Sequence, residues 1–260
     1  MSLGLAAIVS AAAALAAWWA RTLTTSGAIA AWTIGVVILH WGGWQSGAVL
    51  AAFFVSSNLV SRIRPRMPAA LDPKGARRDG WQVFANGGAA TLGAGLSPAG
   101  SSLGIWVMTA AFAAAAADTW ATSLGSLSRA PPRLLGLGRV VLPGTSGGMT
   151  VIGSAGAAAG AVLVATCGAV ASGLPLLLPV ATLIGFLGMA VDSVLGAVFQ
   201  GRFQCPRCNE ASEWRVHRCG ASTTRTGGLA WLNNDGVNFV ATALAACAAF
   251  GLWHWLLPFP

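Results

Sequence analysis

Long apolar runs broken by short polar links dominate the chain. Runs at 3–20, 24–40, 43–60, 102–122, 149–172, 175–200 and 233–257 are each long enough to be read as a membrane-spanning helix, which needs ~20 mostly apolar residues. The stretch 82–98 is weaker, being short, glycine-rich and polar at its start. Counting it gives eight spans, and charge is what favours counting it. All fifteen Lys and Arg residues then fall in Arg21 and the links 61–81, 123–148 and 201–232, while the links near 41–43, 99–101 and 173–174 carry none. By the positive-inside rule the basic links face the cytoplasm. The expectation is an all-α, polytopic transmembrane bundle of one integral-membrane domain, residues 1–260, with both termini outside. Trp41, Trp44, Trp106, Trp253 and Trp255 fall near one interface of that arrangement. Trp18, Trp19, Trp81, Trp120 and Trp231 fall near the other.

Composition agrees. The chain is 55% hydrophobic and 8% charged, whereas soluble domains carry roughly a quarter charged residues. The net charge of +8 sits in links between apolar runs, so it speaks for topology, anionic lipid and anionic ligands rather than nucleic acid. Met1-Ser-Leu-Gly-Leu has no basic residue before its apolar run, and 3–20 reads as a retained span rather than a secretory signal.

Three carboxylates stand where a span should be apolar: Asp118, Asp192 and Asp235. An ionisable group there is costly and marks a functional site by default. Three acids from three helices at similar depth suit Mg²⁺, which takes carboxylate oxygens, waters and substrate phosphates. The bland alternatives are pairing with arginine or, for Asp235, capping its own helix. The loop Gly144-Thr145-Ser146-Gly147-Gly148 precedes an apolar helix, an arrangement that binds phosphate through backbone N–H groups but also occurs in ordinary capped loops. Arg77 and Arg78 add bidentate donors for phosphate oxygens, and Asn86 opens the next helix. Glycines such as Gly153, Gly156 and Gly160 read as helix-packing residues.

Cys167 and Cys247 lie in apolar runs and read as core residues. Cys205-Pro-Arg-Cys208, followed by His217-Arg-Cys219, offers four zinc ligands within one link. The alternative is free thiols in a reducing compartment.

Five blocks in this order resemble the integral-membrane family known as domain of unknown function ninety-two: Arg77–Gly88, Ala117–Gly125, Pro143–Gly148, Asp192–Gly201 and Leu232–Phe239. That family includes the plant phytyl-phosphate kinase, and phytol kinase, dolichol kinase and phosphatidate cytidylyltransferase are more distant relatives. The resemblance implies transfer of a phosphoryl group from CTP or another nucleoside triphosphate to an isoprenoid monophosphate, with Mg²⁺ as cofactor and the active face cytoplasmic in a bacterial-type inner membrane. Asp118, Asp192 and Asp235 would be catalytic and hold the metal. Arg77, Arg78, Asn86, Thr119, Gly144, Thr145, Ser146, Gly147, Gly148, Asn234 and Asn238 would contact substrate and phosphate. Ser123 stands where family members often carry glutamate. The rival expectations are a cytidylyltransferase making a CDP-lipid and an ion-coupled transporter or flippase.

Overall fold

A computed structural model of the chain describes residues 1–63, 77–96, 101–135 and 138–256. Arg64, Arg66 and Lys74 of the basic link 61–81 lie outside them. The described residues form seven helices: α1 (Leu3–Trp19), α2 (Thr25–Ser61), α3 (Gly80–Ala94), α4 (Leu103–Gly125), α5 (Val151–Ser172), α6 (Leu177–Val198) and α7 (Asn234–Leu256). Five of them, α2, α4, α5, α6 and α7, are long and apolar enough to cross a membrane.

Helix α2 covers both the 24–40 and 43–60 runs. A straight helix of its 37 residues would reach ~55 Å, far beyond a ~30 Å hydrocarbon core. It is not straight. Gly43 breaks it with φ 64° and ψ −161°, a conformation open essentially to glycine alone. Beyond the break, Gly47 lies against the Leu39 side chain of the first half. A continuous helix would separate those two positions by ~12 Å, so the chain folds back at Gly43. The weak stretch 82–98 becomes the 15-residue α3, which begins with a capping box between Asp79 and Gln82.

The centre of the bundle is α4. Ala110 to Ala117 are all buried, and α4 packs against α2, α3, α5, α6 and α7. Its neighbours approach through glycine. Gly153, Gly156 and Gly160 of α5 lie against Ala121, Trp120 and Ala116, and a Cβ on any of them would crowd the α4 backbone. Gly185 and Gly188 of α6 lie against Ala113 and Ala114. Large apolar side chains point outward instead, among them Ile8, Leu15, Val170, Leu183, Leu187 and Leu244. Small residues line the closest helix contacts, while a few large ones such as Phe53, Phe112 and Met108 fill the core between them; tails are as apolar as leucine, so close packing must drive helix association. Trp106, in the first turn of α4, packs edge-on against Trp253 of α7 with ring centroids 5.5 Å apart. It is fully buried, donating its indole N–H to the Ala249 carbonyl at 3.0 Å, because α4 is surrounded at that level. Cys247 is exposed on the outer face of α7 rather than in the core.

The links are not structureless. In 123–148, β1 (Arg133–Leu134) pairs antiparallel with β2 (Gly148–Met149). In 201–232, β3 (Arg202–Gln204) lies between β4 (Ala211–Ser212) and β5 (Thr224–Gly227). Strands of two to four residues carry no readable periodicity, so the all-α expectation is corrected to a helical bundle with small β elements in its links.

Candidate functional site

One end of the bundle collects the polar residues. The α1–α2 link is tied to the start of α3, since Arg78 N–H donates to the Thr22 carbonyl at 2.9 Å and Thr24 N–H to the Arg78 carbonyl at 3.0 Å. The start of α7 is tied to α3 by the Thr242 hydroxyl, 3.0 Å from the Ala85 carbonyl, and by stacking of Phe84 on Phe239 with ring centroids 5.4 Å apart. At the same end, the last residue of α4, Gly125, touches Thr150 and Gly153 at the start of α5.

Two of the three predicted acids meet here, for a reason written in the small residues. Gly188 of α6 approaches Ala114 of α4 so closely that an added Cβ would stand 2.7 Å from the alanine's. Four residues on, and so one turn further in the same direction, each helix carries its aspartate, Asp192 and Asp118. The close stripe brings the carboxylates into each other's electrostatic reach. Both line a small cavity of about 10 Å³ with Asn86, Asn238, Thr242, Ala114, Ala115, Gly188 and Ala241, close to the space of one water-sized sphere. Asp192 Oδ2 and Asn238 Oδ1 are buried there without a hydrogen-bond partner. Buried polar atoms are almost always paired, so two acceptor oxygens facing an ion-sized space make a donor set suited to a hard cation. Arg78 also reaches this end. Burial lowers its guanidinium pKa, and the charge of Asp118 opposes that fall.

The remaining predicted residues are placed as follows. Asp235 is buried in the first turn of α7 but does not line the cavity; Asn238, three residues on, does. Asp235 keeps the first-turn place in which its charge suits the helix dipole, and Asn233 Oδ1 accepts from Gly236 N–H at 2.9 Å at the same helix start. Asn234, Arg77 and Thr119 are not among the cavity's lining residues, and the first two are exposed. Ser123 is buried, but it too lies outside the cavity lining.

The glycine loop is a tight turn seated on α6. Gly144 and Gly147 have φ of 88° and 79°, and Gly147 packs on the Ser193 carbonyl and Ala197, so that a Cβ there would collide with the helix backbone. Strand β2 and Thr150, which caps α5 by accepting from Gly153 N–H at 3.0 Å, separate the loop from the helix. Ser146 donates to Glu213 Oε1 at 2.9 Å. Thr145 lines a second, open cavity of about 550 Å³ with Arg139 and Arg202.

Sequence reasoning missed Thr242, Arg139 and Arg202. Thr242 resembles any helix threonine, and the two arginines were legible only as topological charge. The four proposed zinc ligands do come together, their ligand atoms all within 4.8 Å of one another.

The sequence matches the family model for the integral membrane protein DUF92 over residues 8–246. The chain belongs to this family. Every residue of the small cavity lies inside the matched span. Among similar proteins, Protein PGR of Arabidopsis thaliana is 30% identical over 93% of this chain and 92% of its own length. An uncharacterised membrane protein of Methanocaldococcus jannaschii is 31% identical over 69% of this chain and 76% of its own. One from Synechocystis is 27% identical over 89% and 83%. No solved structure matches. Family and apolar helices together establish an integral membrane protein.

Proposed function

We propose that the protein is an isoprenoid-monophosphate kinase, transferring the γ-phosphoryl group of CTP or another nucleoside triphosphate to a phytyl or related prenyl phosphate. The observation that carries this reading is the pair of carboxylates from α4 and α6 in one cavity at the polar end of the bundle, where Asp192 Oδ2 and Asn238 Oδ1 are unpartnered, next to a glycine loop seated one residue beyond Asp192. Asp118 and Asp192 would hold Mg²⁺, with Asn86 and Asn238 completing an oxygen-rich surround and Asp235 supporting from the next turn. When bound, the ion would neutralise charge on the triphosphate. Arg78 and Arg77 would hold phosphate oxygens. Arg139, Arg202 and Thr145 give the larger cavity a cationic wall for an anionic nucleotide. The acceptor phosphate is already anionic, so no strong general base is needed, and positioning with electrostatics would supply most of the acceleration.

In this reading eight helical segments cross the membrane, the two halves of α2 counting separately, with termini outside and the polar end cytoplasmic. It is supported by the confinement of every Lys and Arg to alternate links.

The test supplies purified protein in detergent with Mg²⁺, γ-labelled CTP or ATP, and phytyl, farnesyl or geranylgeranyl monophosphate. Label in an isoprenoid diphosphate is the expected result. Pyrophosphate release would instead identify the cytidylyltransferase. One observation favours ion coupling as a second reading: the carboxylate cavity is ion-sized. Cation-dependent flux into proteoliposomes, without phosphoryl transfer to any acceptor, would replace the kinase reading with that one.

A further inference from the structure

We propose that Cys205, Cys208, His217 and Cys219 hold a structural zinc ion that folds the link between α6 and α7 and fixes it against the glycine loop. The inference is independent of the kinase reading. Two tight turns present the ligands. In the first, Asn209 N–H donates to the Cys205 carbonyl and Cys205 N–H to the Glu210 carbonyl, both at 2.9 Å. In the second, Gly220 N–H donates to the His217 carbonyl at 2.8 Å and His217 N–H to the Ala221 carbonyl at 2.9 Å. Each turn closes on a left-handed residue directly after its last cysteine, Asn209 at φ 56° and Gly220 at φ 80°. The hairpin β3–β4 carries the first turn, and a bridge between Val216 and Ser222 encloses the second.

The spacing of the ligand atoms fits a tetrahedron. Zinc–sulfur bonds of ~2.3 Å imply ligand-to-ligand edges of ~3.7 Å. Cys205 Sγ lies 3.6 Å from Cys219 Sγ, and His217 Nδ1 lies 3.2 Å from Cys219 Sγ. With the imidazole directed inward through Nδ1, its other nitrogen, Nε2, sits 3.3 Å from Glu210 Oε2, within reach of its charge but without the alignment of a hydrogen bond. Arg218 holds that same carboxylate at 3.2 Å. A carboxylate commonly stands behind a ligating histidine, and a small rotation of the ring or of Glu210 would let Nε2–H donate to it. Four protein ligands close the shell, which marks a structural rather than a catalytic ion.

The link also needs such a staple. Among its described residues only Phe203, Cys205 and Leu232 are buried hydrophobics, too little to fold a small β module without a crosslink or metal. Glu213 stands between the two turns and accepts from Ser146 of the glycine loop. A metal that orders the turns therefore also sets this contact.

The test is metal analysis of the full chain purified in detergent. About one zinc per chain is expected, falling at least tenfold in Cys205→Ser and Cys219→Ser and unchanged in Cys247→Ser. Should the ligand variants fail to fold, the wild-type chain decides alone. Exchange of its zinc for Co²⁺ should give the visible bands of tetrahedral cobalt with thiolate charge transfer in the near ultraviolet. Wild-type protein that carries no zinc and gives no such bands on adding Co²⁺ would overturn the proposal, as would iron in place of zinc.

Discussion

At the residue scale, the carboxylates of Asp118 and Asp192 share one small cavity between α4 and α6. Asp118 and Asp192 stand out because charge is so costly in an apolar run. What brings them together is a contact between Gly188 and Ala114, residues as ordinary as any in a chain holding 34 glycines. Removing one of two neighbouring like charges does not cost fold stability, so Asp192→Asn should leave the melting temperature in detergent within a few degrees of wild type. The same variant should lower phosphoryl transfer by ~10³-fold, the scale of losing a principal electrostatic contact. Unfolding of this variant would show a structural rather than a functional carboxylate. Thr242 was invisible to sequence reasoning because its value lies in reaching Ala85 on another helix. Thr242→Val removes that bond and should cost about 1 kcal/mol of stability, read by unfolding in detergent.

The helices were legible at the element scale from run length, and the reversal at Gly43 matches a break already visible between two runs. Sequence could not say that the break would be one glycine with positive φ rather than a loop. Gly43→Ala should therefore destabilise by ~1–3 kcal/mol, the cost of forcing a side chain into that conformation, measured as a lower melting temperature. A variant as stable as wild type would mean that the chain reverses differently. The short strands escaped notice because two to four residues are too few for a period. The Cys–His spacing was readable because it depends on residue identity and not on periodicity, and the four side chains do meet. Chelation should loosen the link without melting the helices. Limited proteolysis within 202–227 should speed up after zinc removal while the far-ultraviolet helical signal holds.

For the molecule as a whole, the gathering of polar groups at one end follows from simple charge counting. The position of α4 does not. Its alanine run reads as one more span, yet it is the axis around which five other helices pack. That is why Trp106 is fully buried. Orientation can be tested directly. Leu174→Cys should react with a membrane-impermeant thiol reagent in intact cells, and Ser128→Cys only after permeabilisation. The reverse pattern would invert the topology and put the carboxylates on the other face.

The most direct test of the central claim compares wild type with Asp118→Asn for transfer of labelled γ-phosphate to a prenyl monophosphate in the presence of Mg²⁺. Transfer by the wild type, with loss of ~10³-fold or more in a folded variant, is the predicted result. Undiminished transfer by Asp118→Asn would contradict the assignment of the α4–α6 cavity as the catalytic centre.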